Sequence, residues 1–197
     1  MNNYVYEYGG KLYLNITNRC SNCCTFCIRK GREGIGGNTL WIDREPTFED
    51  MKAALQAFDL EKYGEVVFCG FGEPVFNLET LIETGKYLRQ MGKKVRLDTN
   101  GHGNLIHKRD IVPQLAQAVD DVSISLNASS AAKYQQHCFS QFGEEAYYAV
   151  LDFARECLKH IGRVILTKVD EGDEEENAAC ERIARQLGAG FRLRKKI

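Results

Sequence analysis

Three cysteines near the start of the chain carry the first chemical signal. In the run RCSNCCTFCIRK, Cys20, Cys24 and Cys27 stand at C-x3-C-x2-C spacing. A ferredoxin-type iron–sulfur cube is held by four thiolates. Three close thiolates with no evident fourth leave one iron open, and an open iron can bind and activate a small molecule. Cys23 and Cys24 are adjacent, so Cys20, Cys23 and Cys27 offer a second register, C-x2-C-x3-C. A structural zinc site is the competing chemistry. It needs four ligands in a closed tetrahedron, and the fourth would have to come from Cys69, Cys138 or a histidine far along the chain. The chain has 8 cysteines, and four of them crowd into positions 20 to 27, where neighbouring thiols pair poorly with one another. Ligation accounts for that better than a disulfide framework. The loop that follows, Ile28 to Asn38, is rich in glycine and basic residues, and such a backbone can approach a bulky inorganic group closely.

Three more polar motifs follow apolar runs. VVFCGFGEP ends in a turn, where Gly70 and Gly72 let the backbone bend and Glu73 presents a carboxylate. A carboxylate there would pair an ammonium group through charge-assisted hydrogen bonds. RLDTNG places Asp98 or Asn100 toward a ligand; its plainer alternative is a simple turn. SISLNA puts Ser123 and Ser125 on one face, continued by Asn127. Polar side chains inside a strand cost stability unless satisfied, and a ligand can satisfy Ser125 and Asn127. Thr167 and Lys168 are weaker candidates of the same kind. His102 and His107 flank a Gly-Asn turn without ligand spacing. Cys157 and Cys180 sit on apolar helix faces and read as core, with Cys69 similar. Cys138, in YQQHCFSQFGE, falls in a stretch without helical period and reads as a loop whose thiol could exchange a hydrogen atom.

These motifs need strands to carry them. Six strand candidates are Lys11–Thr17, Glu65–Cys69, Val95–Asp98, Asp121–Leu126, Val164–Val169 and Phe191–Arg194, mostly β-branched and aromatic. Between them run amphipathic helices. The first starts after Thr47, a good N-cap; the second spans Leu78 to Leu88. A short one covers Asp110 to Gln117, a long one Ala146 to Ile161, and the last stops at Gly188. The order β(αβ)5 predicts an α/β fold. A closed eightfold barrel takes about 250 residues, so 197 residues predict an open partial (β/α)6 barrel with six mostly parallel strands. Ligands then sit at the carboxyl ends of the strands, where every motif above falls. The acidic run Asp170–Glu176 reads as a solvated loop and helix start, and the basic end Arg192 to Lys196 as a solvated terminus.

Composition narrows the partners. The length predicts a single domain over residues 1–197. A formal net charge of −1 gives no general pull toward nucleic acid or anionic lipid. No apolar run approaches the roughly 20 residues needed to span a bilayer, and MNNYVYEYGG has no signal pattern. A cytoplasmic, reducing location is expected.

With Phe26 just before its last cysteine, the triad resembles that of the radical S-adenosylmethionine (SAM) superfamily. Within it, LYLNITNRC, VVFCGFGEP, DTNGHGNLI and VSISLNA together resemble the subgroup of TatD-associated radical proteins. The resemblance implies one 4Fe-4S cluster held by Cys20, Cys24 and Cys27, with Cys23 a bystander. It implies that the open iron chelates the amino and carboxylate groups of SAM. Gly72 and Glu73 would hold the amino group, and Asp98, Asn100, Ser125 and Asn127 would position the rest, with Phe26 near the adenine. Phe71 departs from the superfamily's Gly-Gly-Glu and puts a side chain in that space. The implied activity needs a low-potential electron donor, a flavodoxin or ferredoxin. It is reductive cleavage of SAM to a 5′-deoxyadenosyl radical, which abstracts hydrogen from a small-molecule or protein substrate. The DTNG string and small size suggest, as an alternative, an activase of glycyl-radical enzymes; compact deazapurine-forming relatives suggest a small-molecule modifier. A non-catalytic iron–sulfur electron-transfer module with a closed cluster is the other alternative.

Overall fold

A computed structural model describes residues 2–196. In chain order its elements are β1 (Val5–Tyr8), β2 (Lys11–Leu14), β3 (Gly34–Ile35), β4 (Asn38–Thr39), α1 (Phe48–Leu55), β5 (Glu65–Phe68), α2 (Leu78–Gln90) and β6 (Lys94–Thr99). There follow α3 (Gly103–His107), α4 (Val112–Leu115), β7 (Asp121–Ser125), α5 (Ala131–Cys138), α6 (Glu145–His160), β8 (Arg163–Val169), α7 (Glu174–Leu187) and β9 (Gly190–Arg194). The fold is α/β with a mostly parallel central sheet. All six expected strands are present, as β2 and β5 to β9. Sequence reading missed β1, an antiparallel partner of β2, and the two-residue hairpin strands β3 and β4. It also missed α3, and it missed α5, which occupies the stretch read as irregular around Cys138. The turn Tyr8–Lys11 with Gly9 and Gly10 at positive φ sets up β1. The helix α5 starts from a Ser130 side chain that accepts from the Lys133 N–H and ends at Phe139 in the left-handed region.

The chain divides into two compact units. The first comprises residues 1–20, 28–98 and 114–120. Its strand order is β1-β2-β5-β6, with β2, β5 and β6 parallel. Alternation sends Leu12, Leu14, Val66, Phe68, Val95 and Leu97 to one buried face. The other face carries an ionic ladder: Lys11 to Glu65 at 2.8 Å, Arg96 to Glu65 at 2.9 Å and Arg96 to Asp98 at 2.9 Å. Helix α1 is opened by a capping box between Thr47 and Asp50. Helix α2 buries Leu78, Leu81, Gly85 and Leu88 on one stripe. Gly85 has a packing reason: a Cβ there would lie 2.4 Å from the Ala118 carbonyl oxygen.

The second unit comprises residues 21–27, 99–113 and 121–197. Its strands run β7-β8-β9, all parallel. Val122, Ile124, Val164 and Leu166 are buried on one face, and α6 contributes Val150, Phe153 and Cys157 to the core. Cys157 and Cys180 are core residues as expected, and burial pushes the Cys157 thiol well up. The acidic run is less solvated than expected. Glu176 is buried and accepts from the Ser129 amide and hydroxyl and from Lys133, fastening α7 to the loop after β7.

The packing predicts a large-to-small cost. Leu81 is fully buried on α2, so Leu81→Ala should lower unfolding free energy by about 2–5 kcal/mol, seen as a lower urea midpoint at unchanged slope.

Candidate cofactor site

In the first unit, β2 leads through Asn15, Ile16 and Thr17 into Cys20, which is half-buried. The turn after β5 is packed against this segment backbone to backbone. The Glu73 amide donates to the Arg19 carbonyl at 2.7 Å. A Cβ on Gly72 would sit 2.2 Å from the Thr17 carbonyl oxygen and 2.7 Å from that of Arg19, so only glycine fits. A Cβ on Gly70 would likewise meet Asn15 Oδ1 at 2.0 Å. Glu73 itself is 4 % exposed, and its Oε1 accepts from the Val75 amide at 3.4 Å. A carboxylate is thereby held beside the turn that precedes Cys20.

Phe71 does not take up the room expected of it. Its side chain is buried with Tyr6 and Leu40 in a small core, edge-on to Trp41 at 5.1 Å. Arg29 braces the same place, donating to the Asn18 and Phe71 carbonyls and lying over Trp41. The glycine-to-Phe departure therefore anchors the turn. Asp98 is ion-paired to Arg96 on the polar sheet face. Cys69 lies half-buried at the strand end, with its carbonyl accepting from the Tyr6 hydroxyl at 3.1 Å; it is not the core residue expected.

In the second unit, residues 21–27 form a loop with no helix or strand of its own. It is held from two sides. The C-terminal carbonyls of α5 accept its amides: Cys23 N–H to the Cys138 carbonyl and Thr25 N–H to the His137 carbonyl, both 2.9 Å. A tight turn joins Cys27 N–H to the Cys24 carbonyl at 3.3 Å. Cys24, Phe26 and Cys27 are half-buried and Cys23 is exposed.

The other hold is a buried side-chain network centred on His102. His102 Nδ1 is 2.9 Å from Ser21 Oγ, and Nε2 is 3.0 Å from the Tyr134 hydroxyl. Asn22 Nδ2 donates to that hydroxyl, and Asn100 Nδ2 donates to Ser21 Oγ. Asn100 Oδ1 in turn accepts from the His102 amide. Asn100 thus grips the cysteine loop through Ser21. Sequence reading dismissed His102 for want of ligand spacing and overlooked Ser21, Asn22 and Tyr134. The available signal was position: Ser21 and Asn22 fill the gap between cysteines, and His102 follows DTNG.

Asn127 sits just past β7 at φ +59°, a left-handed conformation uncommon outside glycine. It is 6 % exposed, its Nδ2 lies 3.7 Å from Cys138 Sγ, and its buried Oδ1 has no hydrogen-bond partner among the described residues. A strained residue with an orphaned buried acceptor is what a bound polar ligand would complete. Ser125 is less available than expected, because Arg194 Nη2 reaches its hydroxyl at 3.4 Å. Thr167 donates to the Ile124 carbonyl and Lys168 to the Val169 carbonyl, so both are internally satisfied.

Among the described residues, no three His, Cys, Asp or Glu side chains are gathered as a ready-made metal site. The donor chemistry within each unit nonetheless fits a thiolate-held group: in the second, half-buried thiols on an anchored loop and an orphaned amide oxygen at Asn127; in the first, taken by itself, a half-buried Cys20 thiol and a buried Glu73 carboxylate.

The family model described as Radical SAM superfamily matches residues 14–179. No curated protein matches the chain. Among solved structures, a radical SAM methyltransferase from Sphaerobacter thermophilus is similar with TM-score 0.64 and 15 % identity, over 97 % of this chain and 68 % of that one. Streptococcus suis SuiB bound to precursor peptide SuiA gives TM-score 0.71 and 14 % identity, over 98 % of this chain and 40 % of that one. Methylornithine synthase gives 0.67 and 13 %, over 94 % and 52 %. The chain therefore spans about half the length, or less, of the last two.

Two expectations follow. Gly72→Ala should destabilise by about 1–3 kcal/mol through the overpacked carbonyls, read as a lower urea midpoint. Burial lowers the His102 pKa from 6.5 to about 4. The fold favours the neutral ring, so its contribution is complete above 6.5 and is eroded as pH falls toward 4. Across that window wild type should lose up to ~3 kcal/mol, while His102→Gln should show a flatter profile in pH-dependent urea unfolding.

Proposed function

The chain belongs to the radical SAM superfamily, and from that premise we propose that it is an enzyme that cleaves SAM reductively and abstracts hydrogen from its substrate. The supporting observation is the anchored cysteine loop, which has no regular structure yet is tied at Ser21, Cys23 and Thr25 to elements over 70 residues away. Cys20, Cys24 and Cys27 are the proposed cluster ligands. Cys23, exposed and tied by its backbone to α5, is left out of the set. When bound, a 4Fe-4S cluster supplies the single electron that splits the carbon–sulfur bond of SAM, giving methionine and a 5′-deoxyadenosyl radical.

The chain's own residues bind and orient. Glu73 is proposed to pair the ammonium of SAM, on a carboxylate whose backbone is fixed by Gly72 and Arg19. Asn127 is proposed to receive a donor from the ligand at its orphaned Oδ1. Asn100 acts through Ser21 as a positioning residue for the loop, and Asp98 is oriented by Arg96. Ser125 and Phe26 complete the proposed surroundings. The strands are proposed to form an open partial barrel that presents these groups at their carboxyl ends. A low-potential flavodoxin or ferredoxin is the proposed reductant, and the four strings quoted above support membership of the TatD-associated subgroup.

The test is anaerobic reconstitution with iron and sulfide, then dithionite and SAM, with 5′-deoxyadenosine measured by mass. Product should survive Cys23→Ala and vanish in Cys24→Ala. Glu73→Gln should weaken SAM binding about 10–100-fold, the loss of one hydrogen bond to a charged group. A cluster-loaded wild type whose electron-spin spectrum is unmoved by SAM would instead favour the closed electron-transfer module.

A further inference from the structure

The proposed function makes no use of Cys138, which is fully buried at the end of α5. Polar side chains reach its sulfur from two sides. Asn127 Nδ2 donates to Sγ at 3.7 Å. The Tyr134 hydroxyl is hydrogen-bonded to the same sulfur; the two residues stand at i and i+4 on α5 and share one helix face. The Cys138 carbonyl meanwhile accepts from the Cys23 amide at 2.9 Å. The residue therefore touches both the cysteine loop and Asn127, whose left-handed backbone persists only where its surroundings hold it.

The direction of the bonds follows from the groups that only donate. Asn100 Nδ2 donates to Ser21 Oγ, and Asn22 Nδ2 donates to the Tyr134 hydroxyl. With its oxygen accepting, Ser21 turns its proton to His102 Nδ1 at 2.9 Å. A neutral imidazole then carries its proton on Nε2, which donates to the Tyr134 hydroxyl at 3.0 Å. That oxygen now accepts twice, so its own proton goes to the Cys138 sulfur. Burial first, and the Cys138 thiol next, keep the hydroxyl protonated well above its ordinary range. A continuous run of donors thus leads from Ser21 on the cysteine loop to a sulfur shared with Asn127. Without that sulfur, two buried donors would lose their acceptor, which is costly in a dry interior.

We propose that Cys138 is a positioning residue that holds Asn127 in register with the cysteine loop, its sulfur serving as the common acceptor of Asn127 and Tyr134. That Asn127 meets SAM rests on the function proposed above; the joint itself does not. Cys138 acts on the cofactor only through Asn127 and the loop.

The test compares Cys138→Ala, which removes the acceptor, with Cys138→Ser, which keeps one, and with Cys157→Ala, which removes a buried thiol on α6. Before iron is added, urea unfolding of the purified chain gives double-mutant cycles. The costs of Cys138→Ala and Asn127→Ala should be non-additive, as should those of Cys138→Ala and Tyr134→Phe; those of Cys157→Ala and Asn127→Ala should add. Nitrogen NMR should find His102 protonated at Nε2. After reconstitution with iron and sulfide, SAM is titrated against the electron-spin spectrum of the reduced cluster. Cys138→Ala should weaken SAM binding about 2–10-fold, the worth of one neutral hydrogen bond. Cys138→Ser should recover most of that loss, and Cys157→Ala should bind as wild type does. The double variant Cys138→Ala with Asn127→Ala should bind no worse than Asn127→Ala alone. Tyr134→Phe frees the sulfur on its loop side and carries the same comparison where Cys138→Ala fails to fold. Wild-type affinity in Cys138→Ala, or an equal loss in Cys157→Ala, overturns the positioning role, and so does a double variant whose losses add. A His102 protonated at Nδ1 overturns the direction of the chain. Non-additive unfolding in a protein that binds no SAM refutes the proposed function and leaves the joint standing. SAM binding with additive unfolding does the reverse.

Discussion

The loop of residues 21–27 must hold a defined shape without a ladder of its own, and the surrounding structure is organised around that constraint. Helices satisfy their amides internally and strands through their neighbours, but a loop carrying three closely spaced cysteines has neither. Here the last carbonyls of α5, left over by helix geometry, accept two of its amides. The same helix supplies Tyr134 to the His102 network. A helix end and a buried imidazole therefore do the work a neighbouring strand would do elsewhere. Removing the imidazole would leave the buried hydroxyls of Ser21 and Tyr134 each short of a partner, a penalty of about 1–3 kcal/mol apiece.

A parallel economy governs the first unit. The GFGEP turn packs against the Thr17 and Arg19 carbonyls and the Asn15 side chain ahead of Cys20, which is why Gly72 and Gly70 tolerate no side chain. Phe71, between them, points the other way and fills a small core with Tyr6 and Leu40. The turn is thus pinned on one side by close carbonyls and on the other by an aromatic cluster. Such two-sided fixation makes Glu73 a placed carboxylate, with little of its geometry left to chance.

Much of this was legible in the residues. The six strands announced themselves by β-branched runs followed by Gly, Asn or Asp, and the triad of Cys20, Cys24 and Cys27 by its spacing. The element around Cys138 was not legible, because AAKYQQHC has a weak apolar stripe and is stabilised by a Ser130 cap and tertiary burial of Tyr134. His102 was hidden for a related reason: its partners, Ser21 and Tyr134, are distant in sequence, so no local pattern marks it. Arg192 and Arg194, whose guanidiniums reach Ser123 and Ser125, looked like solvent-facing charge because periodicity cannot say whether a long side chain turns outward or lies across the sheet.

The hold of α5 on the cysteine loop also has a clock in it. Thr25 and His137 are 112 residues apart in the chain. At about 5–20 residues per second of synthesis, roughly 5–20 s pass between the emergence of the cysteines and that of the helix that fixes them. For that interval the thiols ride on an unanchored ribbon, open to metal, oxidant or one another. The nascent chain is at its most vulnerable before α5 exists, and assembly of any cluster would be favoured only once that helix has been made.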